Sequence, residues 1–251
     1  MNALRIARVP YLNTDPFFLK DEGILVLPPK QLGEAAAHGL IDACPMAVVD
    51  YFRLADRFEP LGNFGIAMRG AAQSVLLFSR KPLTQLQGCT VEVTDETSTS
   101  GLLLRLLLEQ RYHVLPSSYH RVNGREIDAE ARLVIGDQAL RMRTEDRRMP
   151  FQTDLGAEWW LWQLLPFVFA IWVVRKDAPD GAKRALAESF EAALNANLRQ
   201  LQPIIRRRGP SLGMPEAEIE RYLKSFRYRL NDDDRQGMQR FRELLESNHL
   251  L

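Results

Sequence analysis

The chain has 251 residues, of which 46% are hydrophobic and 26% charged, and its formal net charge is +1. Such a chain can bury a sizeable core in one large domain or two lobes, and it lacks the strong positive charge typical of nucleic-acid-binding proteins. The longest apolar run, residues 164–174, is shorter than the about 20 residues that span a bilayer. We therefore expect neither nucleic acid nor a membrane as a partner.

Local charge, the amino terminus and the cysteines agree with this interpretation. Two basic runs, residues 141–148 and 206–208, are interrupted by acids or flanked by helix breakers, which favours solvated surface over a nucleic-acid site. Residues 1–9 contain no basic region, long apolar stretch or small-residue cleavage site, so we expect a cytoplasmic protein. Cys44 and Cys89 have no partner motif and are predicted to be buried thiols.

Short apolar runs alternate with helical patterns in the first part of the chain. Strands are predicted at residues 4–9, 24–27 and 41–45, and helices at residues 29–40 and 46–54. Between the first two strands, Pro10, Asn13 and Pro16 predict a loop that starts a helix, with polar residues at the end of the strand. This alternation is typical of parallel strands joined by crossover helices.

A second alternation follows, and helices complete the chain. Strands are predicted at residues 74–79, 89–94, 119–122, 132–135 and 167–174, and helices at residues 102–108, 138–142, 154–163, 182–201, 215–227 and 232–247. The pattern predicts an α/β fold with two lobes: lobe I comprises residues 1–79 and 171–251, and lobe II residues 80–170. We expect Trp159, Trp160 and Trp162 to serve in packing rather than in an aromatic ligand cage.

The segment from the strand at residues 91–94 to the following helix is the first candidate site. Four hydroxyl residues, Thr97, Ser98, Thr99 and Ser100, stand where the helix begins. Free backbone N–H groups and the peptide dipoles attract an anion there, and the hydroxyls add donors. Ordinary capping with spare polar residues would give the same pattern.

A second candidate is Asp137, which follows the strand at residues 132–135. Ligands of open α/β sheets gather at the carboxyl ends of strands, but by position alone we favour Asp137 as the N-cap of the next helix. Nucleotide-binding, zinc-protease and hydrolase motifs are absent from the sequence, and the four histidines lack metal-ligand spacing. We expect no metal and no cofactor, so the residues alone predict an anion-binding protein.

Ordered motifs over nearly the whole chain resemble the menaquinone-biosynthesis family that contains chorismate dehydratase of the futalosine route. The most specific stretch joins Asp154-Leu155-Gly156 to Pro166-Phe167-Val168-Phe169-Ala170. The other similar motifs are Arg5-Ile6, Tyr11-Leu12-Asn13 with Pro16, Ser74-Val75-Leu76-Leu77-Phe78-Ser79, Thr99-Ser100 and Ile135-Gly136-Asp137-Gln138-Ala139-Leu140. The resemblance implies a two-lobed periplasmic-binding-protein type II fold that is used in the cytoplasm as an enzyme, with its ligand pocket in the cleft between the lobes.

The resemblance also implies a reaction and a site. Chorismate, a dicarboxylate, would lose water to give 3-[(1-carboxyvinyl)oxy]benzoate. A side-chain base is unnecessary if the substrate's own enolpyruvyl carboxylate reaches the proton, but the sequence does not decide the proton acceptor. Asn13 would position the substrate or its leaving hydroxyl, Ser74 and the hydroxyls of Thr97, Ser98, Thr99 and Ser100 would bind carboxylate, and Asp137 would orient the pocket. Tyr11, Gly136 and Phe167 are further implied substrate contacts.

Two departures from the family pattern leave alternatives open. Gly70-Ala71-Ala72-Gln73 replaces a common Gly-Pro turn, and Asp95-Glu96 occupies positions where Ser or Thr is common. Acids that face the pocket would repel a dicarboxylate, whereas acids that face solvent would support the helix start. The alternative functions are the naphthoate-forming lyase of the same pathway and a non-catalytic binding protein for a small carboxylate. The sequence does not decide the oligomeric state.

Overall fold

Two β-sheets organise the chain, and the computed structural model describes residues 4–19, 23–122, 128–143 and 149–251. In chain order the strands are β1 (Ala7–Arg8), β2 (Leu25–Val26), β3 (Ala43–Ala47), β4 (Phe58–Met68), β5 (Val75–Ser79), β6 (Thr90–Thr94), β7 (Ser118–Val122), β8 (Ala131–Ile135), β9 (Phe151–Asp154), β10 (Phe167–Arg175) and β11 (Arg227–Arg229). The α-helices are α1 (Pro29–Ala37), α2 (Val48–Leu54), α3 (Thr99–Leu106), α4 (Gly136–Met142), α5 (Leu155–Gln163), α6 (Asp180–Arg199), α7 (Gln202–Leu212), α8 (Glu216–Ser225) and α9 (Asp232–Ser247).

The first sheet has the strand order β11-β4-β10-β3, and its three pairings are antiparallel. The short parallel pair β1-β2 lies beside it through a bridge between Ile6 and Ala43. The parallel arrangement predicted for the first three strands is confirmed, since β1 pairs with β2 and Ile6 bridges Ala43 in parallel, whereas β3 pairs antiparallel with β10. The central strand β10 returns from the far end of the chain and inserts between β3 and β4, so its pairing depends on contacts that are distant in sequence.

The second sheet has the strand order β7-β6-β8-β5-β9. The pairs β6-β7 and β6-β8 are parallel, as predicted, whereas β5 pairs antiparallel with both β8 and β9. The predicted division after residues 79 and 170 would leave β5 with the first sheet, but its hydrogen bonds place it in the second. By sheet membership the chain enters the second lobe before Val75 and returns with β10 from Phe167.

The helix starting at Asp154 is confirmed, because the Asp154 carboxylate accepts a hydrogen bond from the Ala157 amide at 3.0 Å and caps α5. The predicted helix at residues 182–201 corresponds to α6, and residues 202–212 form the separate helix α7. The apolar run at residues 164–174 forms a strand only from Phe167, since Leu164 ends α5 in the left-handed conformation with φ of 56°.

Apolar packing joins the two sheets. One continuous cluster of buried side chains includes Val91 of β6, Leu103 of α3, Ile171 of β10 and Phe241 of α9. Trp159 is fully buried in this cluster, with its ring centroid 5.8 Å from that of Phe241, which confirms packing as its role. Among the described residues, no helix is long and apolar enough to cross a membrane.

Candidate functional site

A cleft lies between the edges of the two sheets. It contains about 630 Å³ of space free of protein atoms, part of which is open to solvent. Seven of the ten residues predicted for the site line the cleft: Tyr11, Asn13, Ser74, Thr97, Thr99, Ser100 and Gly136.

The wall from the first sheet is formed by a short 3-10 helix, Leu12–Phe17, that follows β1. Asn13 lies in this helix and lines the cleft. Its Oδ1 atom is buried and has no hydrogen-bond partner among the residues that the structure describes. A buried amide oxygen without a partner is costly, so this atom is available to a donor on a ligand.

The Tyr11 ring closes one side of the cleft. Its hydroxyl donates to Glu96 Oε2 at 2.6 Å, and its ring lies against Gly136, where a Cβ atom would be 2.5 Å from Tyr11 Cδ1. Burial, followed by the neighbouring Glu96 carboxylate, raises the pKa of Tyr11, so the phenol keeps its proton. The Glu96 side chain is therefore directed to a residue of the cleft rather than wholly to solvent.

Ser74 stands on the opposite wall, immediately before β5, and is 2% exposed. Its Oγ atom accepts a hydrogen bond of 2.9 Å from the hydroxyl of Tyr222, a fully buried residue of α8. The backbone carbonyl of Ser74 accepts a hydrogen bond of 2.8 Å from the Gly136 amide. Two residues that the sequence placed in the site are thus linked directly.

The start of α3 contributes three of its four hydroxyl residues to the cleft. Thr97 Oγ1 accepts from the Ser100 amide at 3.0 Å, and Thr99 Oγ1 accepts from the Val49 amide at 3.2 Å. Because these oxygens accept from the protein, their own hydrogens are available to a ligand. Ser98 differs, since its hydroxyl donates to Asp50 and it faces a separate depression beside α1 and α2.

Asp137 contacts the 3-10 helix that forms one wall of the cleft. The preferred prediction that it caps a helix is wrong: α4 is preceded by Ile135, and Asp137 lies in its first turn. Its Oδ1 atom accepts from the Leu12 amide at 2.9 Å, and its Oδ2 atom accepts from Arg208. Asp137 therefore holds the 3-10 helix that carries Asn13. Burial raises the pKa of Asp137, and the Leu12 amide and Arg208 oppose this effect.

The basic run at residues 206–208 was predicted to be solvated surface, but two of its arginines bind buried groups. Arg208 donates to Asp15, Asp137 and the Pro10 carbonyl, and Arg207 donates to Asp15 at 3.1 Å. Asp15 is fully buried and also accepts from Arg8, so three arginines hold one carboxylate. The other basic run, residues 141–148, is described only to residue 143, because residues 144–148 lie outside the described part of the chain.

Phe167 is placed in the core rather than in the cleft. Its ring packs against Trp159 and Phe241, with centroids 5.2 Å and 4.9 Å apart, and it is 1% exposed. Phe169, two residues further along β10, lines the cleft instead. The sequence motif identified the correct strand but not which of its aromatic residues reaches the ligand space. Among the described residues, no group of three or more His, Cys, Asp or Glu side chains could hold a metal ion.

Sequence comparison identifies the family. A family model described as menaquinone biosynthesis matches residues 4–247. The chain belongs to the menaquinone biosynthesis family. It is 29% identical over 255 residues to chorismate dehydratase from Thermus thermophilus, an alignment that covers 94% of this chain and 92% of that protein.

Solved structures show the fold of this family member. A protein from Archaeoglobus fulgidus has a TM-score of 0.75 at 16% identity, with 99% of this chain and 98% of that chain covered. The periplasmic aliphatic sulphonate-binding protein of Escherichia coli has a TM-score of 0.66 at 16% identity, with 100% and 94% covered. The alkanesulfonate-binding protein of Xanthomonas axonopodis pv. citri has a TM-score of 0.68 at 15% identity, with 99% and 94% covered. The fold is that of type II periplasmic binding proteins, as predicted.

Proposed function

We propose that this protein is a hydro-lyase that removes water from chorismate, giving 3-[(1-carboxyvinyl)oxy]benzoate in the futalosine route to menaquinone. The observation that carries the proposal is that a chain of this family, similar to a chorismate dehydratase, brings Asn13, Ser74 and the start of α3 together around one cleft. The two buried free cysteines suit the reducing cytoplasm, where we place the reaction.

Hydrogen-bond donors would hold the two carboxylates of chorismate. Thr97 and Thr99 each use a lone pair to accept from a backbone amide and have a hydroxyl hydrogen to donate, and Ser100 also lines the cleft. The N-terminus of α3 adds the partial positive charge of its free amides. Ser74 also lines the cleft and offers a further donor, so the substrate would be held at more than one point.

The elimination itself removes the C3 proton and the C4 hydroxyl group as water and leaves an aromatic ring. Among the described residues that line the cleft, Tyr11 alone has an ionisable side chain, and its raised pKa keeps it protonated. We therefore assign the proton acceptor to the enolpyruvyl carboxylate of the substrate, which can pass the proton to the departing hydroxide. Asn13 Oδ1 would accept from the C4 hydroxyl and fix its direction.

The test is to incubate the purified protein with chorismate, without added metal or nucleotide, and to follow the products by liquid chromatography and mass spectrometry. We expect a product lighter by one water at a rate far above that without protein. Asn195→Ala, on the exposed face of α6, serves as an active control variant. Unchanged chorismate retained stoichiometrically by a folded sample would overturn the proposal and favour a carboxylate-binding protein.

A further inference from the structure

The hydroxyl of Ser74 is held by a residue that is distant in the sequence. We infer that Tyr222 is a positioning residue for the reaction: by donating its hydrogen to Ser74 Oγ, it leaves the Ser74 hydroxyl hydrogen free for the substrate. This inference rests on the proposed function, in which Ser74 binds a carboxylate, and it adds a residue that does not line the cleft.

Burial leaves the Tyr222 hydroxyl few partners. The residue is fully buried on α8, in a cluster with Phe226 and Tyr228, and a buried phenol requires a hydrogen-bond partner. Its partner is Ser74 Oγ at 2.9 Å, and the two residues are 148 positions apart in the chain. Since α8 leads directly into β11 of the first sheet and Ser74 precedes β5 of the second, this bond forms across the two lobes.

The direction of this hydrogen bond determines what Ser74 can do. Each hydroxyl has one hydrogen, and the other neighbour of Ser74 Oγ is the Ala72 carbonyl at 3.4 Å, a long contact. When Tyr222 donates, the Ser74 hydrogen can leave Ala72 for a substrate carboxylate, a stronger acceptor because it is charged. If Ser74 donated to Tyr222 instead, it would present only lone pairs and would repel the carboxylate.

The surroundings of Tyr222 keep the hydrogen on its hydroxyl. Burial raises the pKa of Tyr222, and the carboxylates of Asp137 and Asp154 act in the same direction, against Ser74 and Arg208. The phenol therefore carries its hydrogen over the whole working pH range. A serine at position 74 is thus supplied with a permanent donor, which orients its hydroxyl before substrate binds.

The test compares two buried tyrosines of the same region. Tyr222→Phe removes the hydrogen bond to Ser74, and Tyr228→Phe removes an equally buried hydroxyl that donates to the Leu223 carbonyl at 3.1 Å. We expect Tyr222→Phe to lower kcat/KM with chorismate by about 10- to 100-fold, because the hydrogen bond from Ser74 to the charged substrate carboxylate is weakened. We expect Tyr228→Phe to lower kcat/KM by less than about threefold. Thermal unfolding of each variant gives the structural cost.

A double-mutant cycle separates positioning from stability. In a Ser74→Ala background, Tyr222→Phe should cause no further loss of kcat/KM, because Tyr222 acts through Ser74. The double variant leaves neither partner unpaired, so it can be measured even if Tyr222→Phe alone fails to fold. The inference would be overturned if Tyr222→Phe lowered kcat/KM equally in the wild-type and Ser74→Ala backgrounds. It would also be overturned if Tyr222→Phe were fully active while Ser74→Ala was impaired. A wild-type protein that does not convert chorismate would instead refute the proposed function, and a fully active Ser74→Ala would refute the role of Ser74 and this inference together.

Discussion

Asn13 combines a buried amide oxygen with a place on the wall of the cleft, and the described part of the chain gives that oxygen no partner. We expect Asn13→Ala to lower kcat by about 100-fold or more, as for the loss of one fixed polar group in an active site. The free energy of unfolding should not fall, because the variant also removes an unsatisfied polar atom. Steady-state kinetics and denaturant unfolding test both statements, with Asn195→Ala as control. Undiminished turnover of Asn13→Ala would contradict the assignment.

Gly136 is required by two independent features of its position. Its φ is 63°, in the left-handed region, and a Cβ atom would be 2.5 Å from the Tyr11 ring. We expect Gly136→Ala to lower the free energy of unfolding by about 2–4 kcal/mol, from backbone strain plus overpacking, and to reduce activity by displacing Tyr11. Gly181→Ala is the matched control, since nothing lies within 4 Å of its Cβ position in α6. Similar unfolding curves for the two variants would refute this explanation.

At the level of single residues, the sequence predicted which residues line the cleft better than it predicted the directions of their side chains. Asn13, Ser74 and Gly136 follow from their motifs and lie on the cleft walls. Ser98 belongs to the same hydroxyl run, but its hydroxyl donates to Asp50, which comes from a helix about 50 positions away. Tyr222 has no local motif at all, because its partner Ser74 is brought to it only by the fold.

Asp154 connects two elements through one carboxylate. It caps α5 at the Ala157 amide and also accepts from the amides of Ala72 and Gln73, at 2.9 Å and 2.6 Å, in the turn that precedes Ser74. We expect Asp154→Ala to lower the free energy of unfolding by about 2–4 kcal/mol, since it leaves three donors unpaired, and to reduce activity through the displaced turn. Asp154→Asn should cost less, because it keeps one acceptor oxygen.

Denaturant unfolding with a second cap variant provides the comparison. Asn231 caps α9 by accepting from the Asp234 amide, so Asn231→Ala should cost about 1 kcal/mol, as for an ordinary cap. An equal loss for Asp154→Ala and Asn231→Ala would show that the turn at residues 72–73 does not depend on Asp154.

Helices were more predictable than strands because their signals are local. The cap at Asp154 and the amphipathic pattern of α9 are read from consecutive residues. Strand β4, by contrast, contains Pro60, Gly62 and Asn63 and shows no continuous apolar alternation, so it was not predicted. The antiparallel pairing of β10 between β3 and β4 also has no local signal, since it joins strands about 100 residues apart.

At the scale of the whole molecule, hydrogen bonds join the two lobes across the cleft. Tyr11 donates to Glu96, the Val49 amide donates to Thr99, and Arg208 donates to Asp137. These bonds flank the space in which we place the substrate. Each joins a residue of the first lobe to a residue of the second, so we expect substrate binding to be coupled to these contacts between the lobes.

The Tyr11–Glu96 pair tests this coupling and the effect of an acid beside the site. Tyr11→Phe keeps the ring on Gly136 but removes the 2.6 Å bond, so we expect KM for chorismate to rise about tenfold or more, as for the loss of a hydrogen bond to a charged group. Glu96→Gln keeps an acceptor for Tyr11 and removes a negative charge near a dianionic substrate, so KM should stay equal or fall. Tyr119→Phe is the matched control, because its hydroxyl donates to Glu109 at 3.2 Å within the second lobe. If Tyr11→Phe leaves KM as unchanged as Tyr119→Phe does, substrate binding does not depend on this bond. A higher KM for Glu96→Gln would mean that the Glu96 charge strengthens the bond more than it repels the substrate.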